Sequence, residues 1–222
     1  MPELALIYGT FMLISLSGAL SPGPLTAMSI TEGARSGRWA GVRLAVGHGL
    51  VEVPLMFGIA YGLGAWLRQP VVSGLAGLLG AGVLIWMGYG LAADAWRGQL
   101  RLKNAETLTL PAPGAMRYGH LVGGAALTLF NPYWVIWWAT VGSAYVGQVA
   151  ALGLGLVAVA GLALTHWLTD LGWLGGLAWL VGSGSRLIGE RTYRLIMLVC
   201  GGFLIVFGLY LAWSGVGFLA GR

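Results

Sequence analysis

Charge is the scarcest ingredient of this chain: 9% of its 222 residues are Asp, Glu, Lys or Arg, with seven acidic side chains and three histidines in all. So few ionised groups cannot clothe a domain folded in water. Cysteine occurs once, at Cys200, which excludes an internal disulfide and leaves the redox compartment unread. No serine or cysteine stands at a recognisable nucleophile spacing, so an intramembrane enzyme using His-carboxylate pairs is a weak reading and the expectation is no enzyme. No thiolate or methionine cluster suggests a soft-metal site, and nothing calls for a cofactor. Polar segments are nearly absent too, the one sizeable example being residues 98–117 with Pro111 and Pro113.

What is present in abundance is apolar: 58% of residues, with a mean hydropathy of +0.82. This is the composition of an integral membrane protein whose main surroundings are lipid. The 39 glycines and 11 tryptophans agree, since small residues let membrane helices approach and indoles favour the lipid boundary. Pairs such as Gly58 with Gly62, Gly119 with Gly123 and Gly172 with Gly176 have the spacing of close helix packing. Six spans are expected, over about 4–31, 40–67, 70–96, 118–145, 149–181 and 193–219. An N-terminal signal peptide is not expected, because Glu3 stands where a positive leader segment belongs.

Of the twelve Lys and Arg, ten fall in the odd connections and only Arg68 and Arg222 elsewhere. That asymmetry places the odd connections in the cytoplasm and both termini outside. It also accounts for a net charge of +5 without a nucleic-acid partner. Arg35, Arg38 and Arg43 read as topology signals, with a role as gate partners of Glu32 as the lesser alternative.

The first apolar run is interrupted by Ser21-Pro22-Gly23-Pro24, and the fourth by Asn131-Pro132. Prolines remove backbone donors, and a broken helix at membrane depth is affordable only where it faces protein or a water-filled cavity. Paired breaks in corresponding halves point to a transporter's substrate site. Ser21, Thr26, Asn131 and Tyr133 would add neutral hydrogen-bonding groups there, and Trp134, with Trp137 and Trp138, either walls the cavity or anchors the span at the interface.

The halves repeat one another. Tyr8-Gly9 and Ser21-Pro22 return as Tyr118-Gly119 and Asn131-Pro132 at an offset of 110, His48 and Glu52 as His166 and Asp170 at 118, and Gly82 and Gly88 as Gly202 and Gly208 at 120. With three spans per half, the second copy enters from the opposite face, which gives an inverted repeat. The division is 1–97 as the first three-helix repeat, 98–117 as a cytoplasmic linker and 118–222 as the second repeat. The fold class is all-α, six transmembrane helices with helices 1 and 4 broken at proline.

Two carboxylates, Glu52 and Asp170, lie well inside spans, each four residues after a histidine. That spacing puts His48 with Glu52, and His166 with Asp170, on one helix face. A charge at the bilayer centre costs roughly 2.5–3.5 kcal/mol, so these groups avoid lipid and become candidates for proton coupling. His120 reads as structural. A zwitterion fits the whole set, its carboxylate at the helix ends after Pro24 and Pro132 and its ammonium near Glu52 or Asp170. The alternative is a divalent-cation exporter, with two histidines and two carboxylates as ligands.

Ser21-Pro22-Gly23-Pro24, the basic loop around Arg35-Ser36-Gly37-Arg38 and Ala40-Gly41, Gly47, and the later Asn131-Pro132 with its aromatic run together resemble the lysine exporter (LysE/RhtB) family of amino-acid efflux proteins. The resemblance covers essentially the whole chain. It implies a six-span inverted repeat, the plasma membrane of a prokaryote, and export of amino acids driven by an ion gradient. By position it implies Pro22, Pro24, Asn131 and Pro132 as the helix-break residues and Glu52 as the acidic position of span 2. The expected partners are a small-molecule substrate and the lipid bilayer; a homodimer is left open.

Overall fold

A computed structural model describes residues 2–21, 23–67, 69–98, 119–183 and 189–220. The expected linker from residue 99 to 117, together with Pro22, Arg68 and Tyr118, lies outside them. Every element among the described residues is helical: α1 (Pro2–Ala19), α2 (Pro24–Ser36), α3 (Ala40–Gly58), α4 (Gly64–Leu67), α5 (Pro70–Trp96), α6 (His120–Leu129), α7 (Pro132–Trp137), α8 (Ser143–Ala151), α9 (Gly155–Gly182) and α10 (Glu190–Leu219). Wider π-helical turns join α3 to α4 over Ile59–Leu63 and α7 to α8 over Trp138–Gly142.

Both breaks fall where the prolines stand. Pro24 and Pro132 each take the first position of a new helix, where a missing N–H costs nothing and the fixed φ is already helical. Ahead of Pro24 the Ser21 hydroxyl donates to Gly18 O at 2.7 Å, closing α1, and Gly23 adopts an extended φ of −114° before α2 starts. Ahead of Pro132 the Asn131 side chain accepts from Tyr133 N at 3.1 Å and caps α7.

Five helices are long and apolar enough to cross a bilayer: Pro2–Ala19, Ala40–Trp66, Pro70–Trp96, Gly155–Gly182 and Glu190–Leu219. The expected fourth span over 118–145 is broken at Asn131-Pro132, as its sequence predicts, into α6 and the run of α7 and α8. The ten residues of α6 rise only about 15 Å, half the hydrocarbon thickness of roughly 30 Å, so α6 alone does not cross. The helical run then resumes at Pro132 and continues through a π-helical turn to Ala151. Asn131-Pro132 ends α6, and at Trp138–Gly142 the Ser143 hydroxyl reaches back five residues to Trp138 O at 2.7 Å within a π-helical turn.

α3 and α9 are the inner helices: α3 packs on α2, α6 and α9, while α9 also packs on α1, α2 and α8. α5 lies along α10 to one side. Outward faces carry large apolar side chains, among them Leu13, Leu79, Val157 and Trp213, each more than two-thirds exposed, as a lipid-facing surface requires. α3 crosses both of its neighbours α9 and α6 in backbone contact: a Cβ on Gly41 would lie 2.0 Å from Leu174 O of α9, and the α3–α6 crossing is as tight. A Cβ on Gly47 would lie 2.0 Å from Leu121 O, and one on Gly124 would lie 2.2 Å from Leu44 O, so each backbone touches the other helix. Five of the six glycines singled out by spacing do not behave this way. Gly62, Gly119, Gly172 and Gly176 have open space where a Cβ would stand, and Gly58 faces only Leu63 of its own chain segment. Spacing of four residues reports one helix face but not whether a partner covers it.

Gly47→Ala and Gly124→Ala are therefore expected to destabilise the protein by about 1–3 kcal/mol, read as a lower thermal midpoint in detergent, whereas Gly172→Ala leaves the midpoint unchanged.

Candidate functional site

The four ionisable residues of the two inner helices meet. The i, i+4 spacing aligns His48 with Glu52 on α3 and His166 with Asp170 on α9, and the α3–α9 packing brings the two faces together. His48 Nε2 lies 3.1 Å from Glu52 Oε1 and 3.6 Å from Asp170 Oδ2. His166 Nε2 lies 3.3 Å from the same Glu52 oxygen and 3.4 Å from the same Asp170 oxygen. The sequence suggested one pair per helix. The geometry is a closed ring of four, in which each histidine faces both carboxylates. All four side chains are buried.

The far side of each imidazole is fixed by a hydroxyl. His48 Nδ1 is 2.7 Å from Thr128 Oγ1 on α6, and His166 Nδ1 is 2.6 Å from Ser15 Oγ on α1. Each hydroxyl has a single hydrogen and has already committed it: Thr128 donates to Gly124 O and Ser15 to Phe11 O, both at 2.7 Å. The hydroxyls can therefore only accept, so both rings carry a hydrogen on Nδ1. That leaves each Nε2 pointing at carboxylate oxygens. A bare nitrogen lone pair there would be acceptor against acceptor, so the ring of four requires positive charge, either hydrogens on Nε2 or another cation.

The carboxylates are asymmetrically satisfied. Trp134 and Trp138 donate their indole N–H groups to Glu52 Oε1 at 3.0 and 2.9 Å. Glu52 Oε2 and Asp170 Oδ2 have no hydrogen-bond partner, although Glu52 is 1% and Asp170 7% exposed. Orphaned buried carboxylate oxygens are expensive and therefore informative. Trp137 stacks on the His166 ring with centroids 4.9 Å apart, and Phe11 lies 5.4 Å from it on another side.

The same four side chains line a cavity together with residues of both helix breaks. Its volume is about 60 Å³, room for more than one water. From the first break Ser21, Gly23 and Thr26 contribute, and from the second Asn131, Tyr133 and Trp134. Pro24 is buried but is not part of the wall, which its neighbours Gly23, Leu25 and Thr26 form instead. Pro22 lies outside the described residues, and of Pro132 only the backbone is described. Several expected polar groups are already engaged: Thr26 Oγ1 donates to Ser21 O at 3.1 Å and accepts from Trp173 Nε1, and the Tyr133 hydroxyl donates to Ser17 O at 3.0 Å. Asn131 spends its carbonyl on the α7 cap, so the expectation of two open helix ends reduces to one, at α2.

Of the tryptophans of the second break, Trp134 is half-buried in the cavity wall. Trp138 is fully buried and Trp137 nearly so. Glu32 belongs to a separate cluster: His120 Nε2 at 2.9 Å and the Ser36 hydroxyl at 2.7 Å bind one oxygen, and Arg35 lies 3.6 Å from the other. His120 is thus a partner of Glu32 rather than of the ring.

Ser15 and Thr128 escaped the reading of the sequence because neither is ionisable nor at a common repeat offset. Their one signal is position, since each is a hydroxyl on the helix that runs into a break. Trp138 was noticed without its target, because the π-helical turn that sets its direction leaves no mark in composition.

A family model described as LysE type translocator matches residues 16–215. No curated protein and no solved structure matches the chain.

Thr128→Ala and Ser15→Ala each leave a buried Nδ1–H without an acceptor, at an expected cost of about 1–3 kcal/mol in thermal stability. Thr128→Ser, which keeps the oxygen, retains most of the wild-type midpoint.

Proposed function

The chain belongs to the LysE type translocator family, and from that premise we propose that it is a secondary active exporter of amino acids or similar small zwitterions, proton-coupled and working by alternating access. The coarse part needs no proposal: this is a multi-pass membrane protein of a transporter family, not an enzyme, and its substrate is a small molecule. The finer reading is carried by one observation, the single cavity bounded by both helix breaks and by all four buried ionisable side chains.

The substrate's carboxylate goes to the start of α2, whose first amides have no side-chain cap. Its ammonium goes to Glu52 Oε2, which has no hydrogen-bond partner, and to Asp170 Oδ2, which only the two imidazoles face, at 3.4 and 3.6 Å. Arrival of an ammonium supplies the positive charge that the ring of four needs, so a proton and the substrate are alternative occupants of one position. That exclusivity is what coupling in opposite directions demands.

Two halves, 1–97 and 118–222, exchange roles as an inverted repeat in this proposal. The cross-pairing supports it: Ser15 ahead of the first break holds His166 of the later half, and Thr128 ahead of the second break holds His48 of the earlier half. The proposed location is the prokaryotic plasma membrane with both termini outside, following the Lys and Arg asymmetry; the linker 98–117 is then cytoplasmic, and pairing of two copies is compatible with it.

Reconstitution into liposomes with a panel of labelled amino acids under an imposed pH gradient tests this. At least one amino acid is expected to move against its gradient in response to the proton gradient. Glu52→Gln and Asp170→Asn are expected to lower that rate at least about tenfold and to flatten its pH dependence. Wild-type rates with unchanged pH dependence in both variants would remove the proposed coupling.

A further inference from the structure

We propose that His48, Glu52 and Asp170, with His166 beside them, also form a binding site for one divalent transition-metal ion with the chemistry of Mn²⁺, Co²⁺ or Zn²⁺. Ligand atoms of His48, Glu52 and Asp170 lie within 4.8 Å of one another, and His166 Nε2 approaches the same two carboxylate oxygens at 3.3 and 3.4 Å. Metal bonds of about 2.0–2.2 Å to nitrogen and oxygen place neighbouring ligands roughly 3.0–3.4 Å apart, the span from right-angled to tetrahedral geometry. The His48 nitrogen stands 3.1 and 3.6 Å from the two carboxylate oxygens, in or near that range, and His166 Nε2 at 3.3 and 3.4 Å is placed to join as a further ligand by a small side-chain shift.

The surroundings are those of ligands held ready. Both imidazoles have Nδ1–H directed to a hydroxyl, which aims the Nε2 lone pairs into the ring, as an outer-shell partner does for a metal-bound histidine. Two indoles hold Glu52 by Oε1, while Oε2 and the Asp170 oxygen remain without hydrogen-bond donors in a nine-tenths buried setting. Two imidazoles and two carboxylates select a borderline divalent ion: Ca²⁺ and Mg²⁺ prefer all-oxygen shells, and soft Cu⁺ prefers sulfur. A dication with two carboxylates and two neutral imidazoles is also electrically balanced, which membrane depth favours. Such an ion occupies the oxygens assigned above to the substrate's ammonium, so metal and zwitterion exclude one another. The metal site itself stands on the ring's geometry; only this exclusion rests on the exporter reading, which transport in metal-free liposomes scores separately.

The test is titration of chelator-stripped, full-length protein in detergent with Co²⁺, followed by calorimetry, tryptophan fluorescence and visible absorption. One Co²⁺ per chain is expected, with quenching that includes Trp134 and Trp138, and binding weakened at least about tenfold in Glu52→Gln and in Asp170→Asn. Glu32→Gln, in the separate His120 cluster, keeps wild-type binding. No stoichiometric binding by the wild type, wild-type affinity in both ring variants, or loss confined to Glu32→Gln overturns the site. Where a ring variant does not fold, the wild-type spectrum decides: bands shifted from the aqua ion by nitrogen and oxygen ligands support the proposal, and an unshifted aqua-ion spectrum overturns it.

Discussion

Two histidines whose outer nitrogens are tied to hydroxyls, facing two carboxylates in a space sealed from lipid, cannot be left without a positive charge. That constraint organises the molecule. The hydroxyls of Ser15 and Thr128 have spent their only hydrogens on carbonyls of their own helices, so they dictate which ring nitrogen is protonated and turn the other toward Glu52 and Asp170. Ionised side chains at such depth are costly against lipid and affordable only among partners. The cost is offset by mutual attraction within the ring, by two indole donors, and by a cation whose identity can change. A site that must hold a cation, and that more than one kind of cation fits, is the physical basis of the exchange proposed above.

The fold serves this ring by keeping two inner helices close and surrounded. α3 and α9 carry the ionisable pairs, and the helices that run into the breaks, α1 and α6, supply the hydroxyls that orient them. Close approach is possible because Gly41 offers bare backbone where α3 meets α9, and Gly47 and Gly124 do so where α3 meets α6. The breaks turn the chain so that α2 starts beside the cavity with uncapped amides, while Trp134 and Trp138 arrive from α7 and its π-helical turn to hold Glu52. A small chamber thus has an acidic, aromatic-walled side and the uncapped start of α2 on its wall, the two features to which the proposal assigns the ends of a zwitterion.

Much of this was legible because membrane insertion makes rare residues conspicuous. Glu52 and Asp170 stood out by being charged where almost nothing is, and four-residue spacing from a histidine fixed their shared faces. The prolines at 24 and 132 marked new helix starts because they lack a backbone donor, a local rule that tertiary contacts cannot override. The tertiary arrangement was less accessible. Neutral hydroxyls such as Ser15 and Thr128 have no compositional prominence, so their grip on the histidines appears only with helix packing. Glycine spacing misdirected attention to Gly172 and Gly176, because a small-residue face gives no information on whether another helix comes to cover it. The π-helical turn at Trp138–Gly142 within the expected fourth span is one that no proline or glycine pattern announces.

Everything depends on the two breaks and the ring sharing one aqueous chamber. The most direct measurement places single cysteines at the breaks, Thr26→Cys and Asn131→Cys, in a Cys200→Ala background, and follows labelling by a membrane-impermeant maleimide in right-side-out and inverted vesicles. The account predicts that both positions react, that a transported amino acid protects both together, and that an imposed pH gradient shifts which side they react from. Positions inert from both sides, or protected independently of one another, would contradict a common chamber.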